Sequence, residues 1–205
     1  SIPPPVFIEN LVNGLADRGN EIIVYGKPLK RDYTFKIPNV IQRKVPVTRI
    51  GLMLYSIYSI FKLVFYEPKS YLSIFKMIKK NSKNWLHFFQ RTCRVLPPFL
   101  DNLDILHIQW AKNLVQDAEF IEKIKCPVIL SLRGAHINYS PLADHILAEE
   151  YNKYFPMVSV FHAVSNAIAM EAEKYSADTK KITIIPPAVN EKLINNVLKT
   201  ITPSE

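Results

Sequence analysis

The stretch that decides the fold runs from Asp104 to His136. It opens Asp104-Ile105-Leu106-His107-Ile108-Gln109-Trp110 and ends Val128-Ile129-Leu130-Ser131-Leu132-Arg133-Gly134-Ala135-His136. Two short apolar runs each stop at polar residues, and an amphipathic segment, Leu114 to Lys125, lies between them. Strand, helix, strand and a glycine-bearing turn make a βαβ unit. In open α/β sheets, ligands bind beyond the carboxyl ends of the strands. The two strand ends here deliver His107, Gln109, Trp110, Arg133 and His136 to one edge.

Working outward, Phe7, Ile8, Leu11, Val12 and Leu15 share one helix face, with Pro5 in the first turn and Gly19 just past the end. Ile22-Ile23-Val24 follows as a buried strand closed by Gly26. The chain therefore opens as the tail of a βαβ unit, without its first strand. Lys27 to Arg49 is broken by Pro28, Pro38 and Pro46, and a short strand is expected near Val40-Ile41. On the other side, Pro141 to Phe155 reads as a helix and Met157 to Val164 as a buried strand. Ser165 is a helix cap for Asn166 to Tyr175, and Ile182 to Ile185 is a last strand before Pro186-Pro187. One more helix is expected over Asn190 to Thr200. The repeated βαβ order predicts an α/β fold, a doubly wound, mostly parallel sheet with helices on both faces.

A helical insertion at about 51–95 interrupts this order. Gly51 to Tyr66 is apolar except for Ser56, Ser59 and Lys62, which fall at i, i+3 and i+6. It is shorter than the ~20 residues a membrane span needs, so it is a buried helix or one lying in a membrane interface. Lys69 to Arg94 forms one or two helices, with Lys69, Ser73, Lys76, Lys80 and Lys83 on one face and Pro97-Pro98 as the stop. Lys62, Lys69, Lys76, Lys80 and Lys83 are the candidate contacts to anionic lipid, against the plainer reading of a solvated face.

The totals agree with one large domain. The chain has 205 residues, 48% of them hydrophobic, and a net charge of +8. That charge favours anionic partners without choosing among nucleic acid, phosphorylated ligands and an acidic membrane. Cys93 and Cys126 lack metal or redox spacing, and two thiols in a chain this size fit the cytoplasm. With five glycines, there is no dinucleotide-binding fingerprint and no phosphate-binding loop of the Walker type. His87, His145 and His162 have no metal-ligand spacing, and no nucleic-acid motif is present.

Four segments, in order, resemble the N-terminal half of glycosyltransferase family 4, whose members have the two-domain GT-B fold. Phe7 to Ile22 looks like the family's opening helix, with Leu15-Ala16-Asp17-Arg18-Gly19 at its end. Asp104-Ile105-Leu106-His107-Ile108-Gln109-Trp110-Ala111 is similar to its "D-i-i-H-x-h-w-a". Pro127 to Gly134 looks like "P-v-v-x-t-x-h/r-G", and Val164-Ser165 with Lys181 to Pro186 resembles "v-S-e … k-i-x-v-I-P". Arg133 stands where many relatives have histidine, His136 where an aspartate is usual, and Pro186-Pro187-Ala188 where "P-N-G" is usual.

The resemblance implies residues 1–190 as a Rossmann-like acceptor-side domain, and 191–205 as a linker toward a donor-binding domain. It implies transfer from a nucleotide-sugar to a saccharide or lipid-linked acceptor, with retention and with neither metal nor other cofactor, at the inner face of the membrane. The fragment alone is then expected to be inactive. Arg133 and His136 become the catalytic candidates, with Gly134, Gln109, Trp110, His107 and Glu9 binding substrate. Arginine cannot act as a base but can hold a phosphate in a bidentate way. His136 can be a base or an ordinary loop histidine. His107 can be a satisfied core histidine, and Trp110 can stack on a sugar or pack on a helix. Glu9 can meet substrate or simply face solvent. The rival reading is a non-catalytic membrane-surface or partner-binding module with the same fold.

Overall fold

A computed structural model describes residues 2–29, 33–116 and 118–187. The expected helix over Asn190 to Thr200 and the 191–205 linker lie outside them. The fold is α/β with parallel strands and packed helices, as expected of a Rossmann-like N-terminal domain.

In chain order the first elements are α1 (Val6–Ala16), β1 (Ile22–Gly26) and β2 (Val40–Lys44). Helix α1 buries Ile8, Val12 and Ala16, and Gly19 follows with φ +86°, a left-handed conformation that costs glycine little. β1 and β2 pair in parallel, from Ile22 opposite Val40 to Gly26 opposite Lys44. β1 was expected to be buried, but all five residues are only half-buried, because its described sheet has just two strands. Ile2 makes a parallel bridge to Pro28 just beyond β1 and is almost fully buried.

Three helices follow: α2 (Arg49–Tyr66), α3 (Pro68–Lys80) and α4 (Trp85–Leu100). Caps set two starts: Thr48 Oγ1 accepts from Gly51 N–H, and Asn84 Oδ1 accepts from His87 N–H. Two expectations change here. Pro97 and Pro98 do not stop α4; they sit buried in its last turn. Their missing N–H groups cost two hydrogen bonds, and burial of both rings compensates. Lys83 does not share the lysine face, because α3 ends at Lys80 and Lys83 lies in the connection to α4. Ser56 and Ser59 on α2 are buried, and Ser56 Oγ donates to the Phe89 carbonyl of α4.

The second sheet has strands β3 (Leu106–Ile108), β4 (Val128–Leu132), β5 (Val160–Ala163) and β6 (Ile182–Ile184), all parallel and in chain order. The amphipathic segment between β3 and β4 is not one helix. It is α5 (Ala111–Gln116) and a 3-10 turn (Ala118–Phe120), which still bury Ala111, Leu114, Ala118 and Phe120. After β4 come α6 (Ala135–Asn138), α7 (Ser140–Ala143) and α8 (His145–Tyr154), so the expected single helix over 141–155 is divided at Asp144, whose carboxylate caps α8. Helix α9 (Asn166–Glu173) has the expected cap, with Ser165 Oγ accepting from Ile168 N–H.

Val128, Leu130 and Leu132 on β4, with Phe161 and Ala163 on β5, form a fully buried apolar face. The opposite face is polar: His107, Ser131 and His162 are neighbours across three strands. Val160 points to that face and is 38% exposed, against the expectation of a buried position.

Candidate functional site

Parallel pairing puts the carboxyl ends of β3 and β4 at one edge, in register through Ile108 and Leu130. Gln109 and Trp110 leave β3 there, and Arg133 leaves β4. Gly134 then turns the chain with φ +43° and ψ −132°, a conformation that L side chains rarely adopt. The turn feeds α6, which is pinned by the fully buried Ile137 and by Tyr151 Oη donating to the His136 carbonyl at 2.8 Å. His136 and Asn138 are thereby held beside the strand ends.

Aromatic contacts join these residues into one cluster. The Trp110 and His136 rings lie 5.4 Å apart at an interplanar angle of 37°. Trp110 meets Phe7 of α1 edge-on at 5.9 Å, and the Arg133 guanidinium lies 4.7 Å over the same Phe7 ring. Such a cation–π contact is worth roughly 0.5–2 kcal/mol, rising with desolvation. The start of α1 is thus a third wall, beside the two strand ends.

Four polar atoms, on the residues that leave β3 and β4 and on α6, are buried without a hydrogen-bond partner: Gln109 Oε1, Arg133 Nε, His136 Nδ1 and Asn138 Oδ1. An unsatisfied buried group costs about 1–3 kcal/mol, so four at one strand-end edge mark a place where a polar molecule can repay folding strain. Burial pushes the Arg133 pKa down from its ordinary value, yet guanidinium stays charged across the physiological range. Burial, and then the nearby Lys112 charge, push the His136 pKa down, which favours its neutral form.

His107 and Glu9 are engaged elsewhere. His107 Nε2 is 2.9 Å from Ser131 Oγ, which is 3.0 Å from His162 Nδ1, and His162 Nε2 is 3.0 Å from the Ile185 carbonyl. The carbonyl can only accept, so His162 Nε2 carries a proton and its Nδ1 accepts from Ser131. Ser131 Oγ in turn accepts from His107 Nε2–H. Burial first, then electrostatic coupling to His162 and Arg133, lowers the His107 pKa to about 4. The geometry is that of a satisfied core histidine. Glu9 accepts a short hydrogen bond from Tyr33 Oη, and burial together with that carboxylate pushes the Tyr33 pKa up to about 12.

Phe7 and Asn138 were not singled out as site residues from the sequence. Phe7 is distant along the chain, and only its place at the head of the opening helix motif hints at it. Asn138 has no motif signal. Two concavities, of about 270 and 660 Å³, lie elsewhere, beside α3 and the 118–126 segment, and none of the clustered residues lines them. Neither gathers unpartnered buried atoms, so the strand-end cluster remains the candidate site. Among the described residues, no three His, Cys, Asp or Glu side chains are grouped to hold a metal ion.

No curated protein matches the chain. The sequence pattern of Glycosyltransferase Family 4 matches residues 5–193, which takes in both sheets, the helical insertion and the strand-end cluster. Nearly the whole chain lies within that match, and the chain belongs to glycosyltransferase family 4.

Proposed function

We propose that this domain binds the acceptor in a sugar transfer from a nucleotide-sugar donor, the acceptor being a saccharide or a lipid-linked saccharide at the inner face of the membrane. The observation that carries the reading is the gathering of Trp110, Arg133 and His136, with four unpartnered polar atoms, at one parallel-strand edge. Sugar hydroxyls both donate and accept, which suits a site holding acceptors at Gln109 and Asn138 beside a donor at Arg133. Arg133 offers a fixed charge to a leaving phosphate. His136, favoured in its neutral form, is the group able to take the acceptor hydroxyl's proton. Positioning and electrostatics supply the rate, and no metal step is needed. A single domain of this kind holds one side of the reaction, so turnover is expected from the whole gene product and not from residues 1–205 alone.

The test is release of nucleoside diphosphate by the whole gene product, with nucleotide-sugars and oligosaccharide acceptors. Arg133→Ala and His136→Ala should each lower kcat/KM about 10²-fold, and Arg133→Lys should not restore it. Unchanged turnover in both alanine variants would sink the catalytic reading. No turnover by the parent with any nucleotide-sugar would instead leave the rival reading, a non-catalytic surface-binding module, which the exposed apolar face of α2 favours.

A further inference from the structure

We infer that α2, α3 and α4 dock this domain on an anionic lipid bilayer, with α2 lying along the interface. Helix α2 is inside out. Its buried residues are Leu52, Ser56, Ser59 and Leu63. Ser56 Oγ donates to the Phe89 carbonyl at 3.1 Å and lies 3.3 Å from Cys93 Sγ, so the small polar stripe packs against α4. The apolar residues are left outside: Leu54, Ile57, Phe61 and Phe65 are 56–67% exposed. A helix that spends its serines on the core and its phenylalanines on the surface has a second apolar partner.

Charge says which partner. Residues 49–100 hold nine Lys or Arg and a single Glu, whereas the rest of the chain holds seventeen residues of each sign. The net charge of +8 therefore maps to residues 49–100, where Arg91 alone among the nine cations is buried, paired with Glu119. A second copy packed through these helices would set two such charges against each other, while an anionic lipid surface neutralises them. The edge of the face is also built for an interface. Lys62 Nζ lies 5.4 and 5.6 Å from the Tyr58 and Tyr66 ring centroids, and Trp85 at the head of α4 is 71% exposed. Eighteen residues give α2 a length of about 27 Å, and α4 holds its serine side, so it lies in the surface without crossing. This deepens the acceptor reading and rests on it only for the purpose of docking, which is to meet a lipid-linked acceptor.

The experiment is co-sedimentation of the whole gene product at low salt with vesicles of phosphatidylcholine, alone or mixed equally with phosphatidylglycerol. Retention is expected on the mixed vesicles and should fall with salt. Phe61→Glu with Phe65→Glu should weaken it about tenfold or more, and both rings are exposed, so circular dichroism should be unchanged. Lys79→Glu with Lys80→Glu should weaken it through charge alone. No retention of the parent, equal retention of the phenylalanine variant, or a dimer in solution that the same variant dissolves would each overturn the inference. Vesicle binding is scored without donor. Arg133→Ala should keep it, and the phenylalanine variant should keep turnover on a soluble acceptor, so the docking and transfer readings fail separately.

Discussion

Replacing His107 by glutamine removes one titrating group from the ladder that crosses β3, β4 and β5, while the amide can still donate to Ser131 Oγ. The native His107 pKa is about 4, against 6.5 in an unfolded chain. Above pH 6.5 neither state binds a proton there, and the neutral ring contributes its full stability. As pH falls through 6.5, the unfolded chain takes up a proton that the native state refuses, so stability is lost until the native group titrates too. For these two values the loss is about 2 kcal/mol at pH 5 and about 3 kcal/mol at pH 4. Urea unfolding of the parent and of His107→Gln at pH 7.5, 6, 5 and 4 isolates this contribution as the difference in slope, because the carboxylates titrate in both proteins. The variant should lose about 2 kcal/mol less than the parent between pH 7.5 and pH 5. Parallel curves would show that His107 is not held neutral by its burial, and the directional ladder through Ser131 would have to be given up.

Two further outcomes follow from packing and backbone. Ser56→Leu drives a larger side chain into the α2–α4 contact and removes the bond to the Phe89 carbonyl, so thermal unfolding should report a loss of about 1–3 kcal/mol; a gain would mean that α2 packs through another face. Gly134→Ala should cost about 1–2 kcal/mol from the positive φ alone, since an added Cβ meets nothing within 4 Å. The same substitution should weaken acceptor binding, read as lost quenching of Trp110 fluorescence in a Trp85→Phe background.

The strands nearest the site were legible because local chemistry specifies them. Val128 to Leu132 is an unbroken apolar run ended by Arg133 and Gly134, and Ser165 announces α9 by its own hydroxyl. Parallel strands alone bring Trp110 and Arg133 to one edge, while His136 also needs the Gly134 turn and the Tyr151 bond that pins α6. What stayed hidden depends on contacts between distant segments. Periodicity located the stripe of Ser56 and Ser59 but could not say that α4 would cover it. Pro97 and Pro98 read as a stop because the burial that offsets their missing donors is tertiary. Phe7 beneath Arg133 joins residues far apart in the chain, and no local pattern encodes such a pair. The division of β1 and β2 from β3 to β6 is likewise a property of pairing, invisible to strand propensity.

Asp101 closes α4, and its carboxylate is shared. Tyr25 Oη of β1 donates to Oδ2 at 2.8 Å, and Arg43 of β2 holds both oxygens, at 2.9 and 3.2 Å. The helical trio is therefore riveted to the smaller sheet at its far end. A tilt imposed on those helices from outside would be felt first by β1 and β2. Through α1, which packs on β1 and carries Phe7, it would then reach the wall beside Arg133. One shared carboxylate makes the insertion a lever arm in place of a loose appendage.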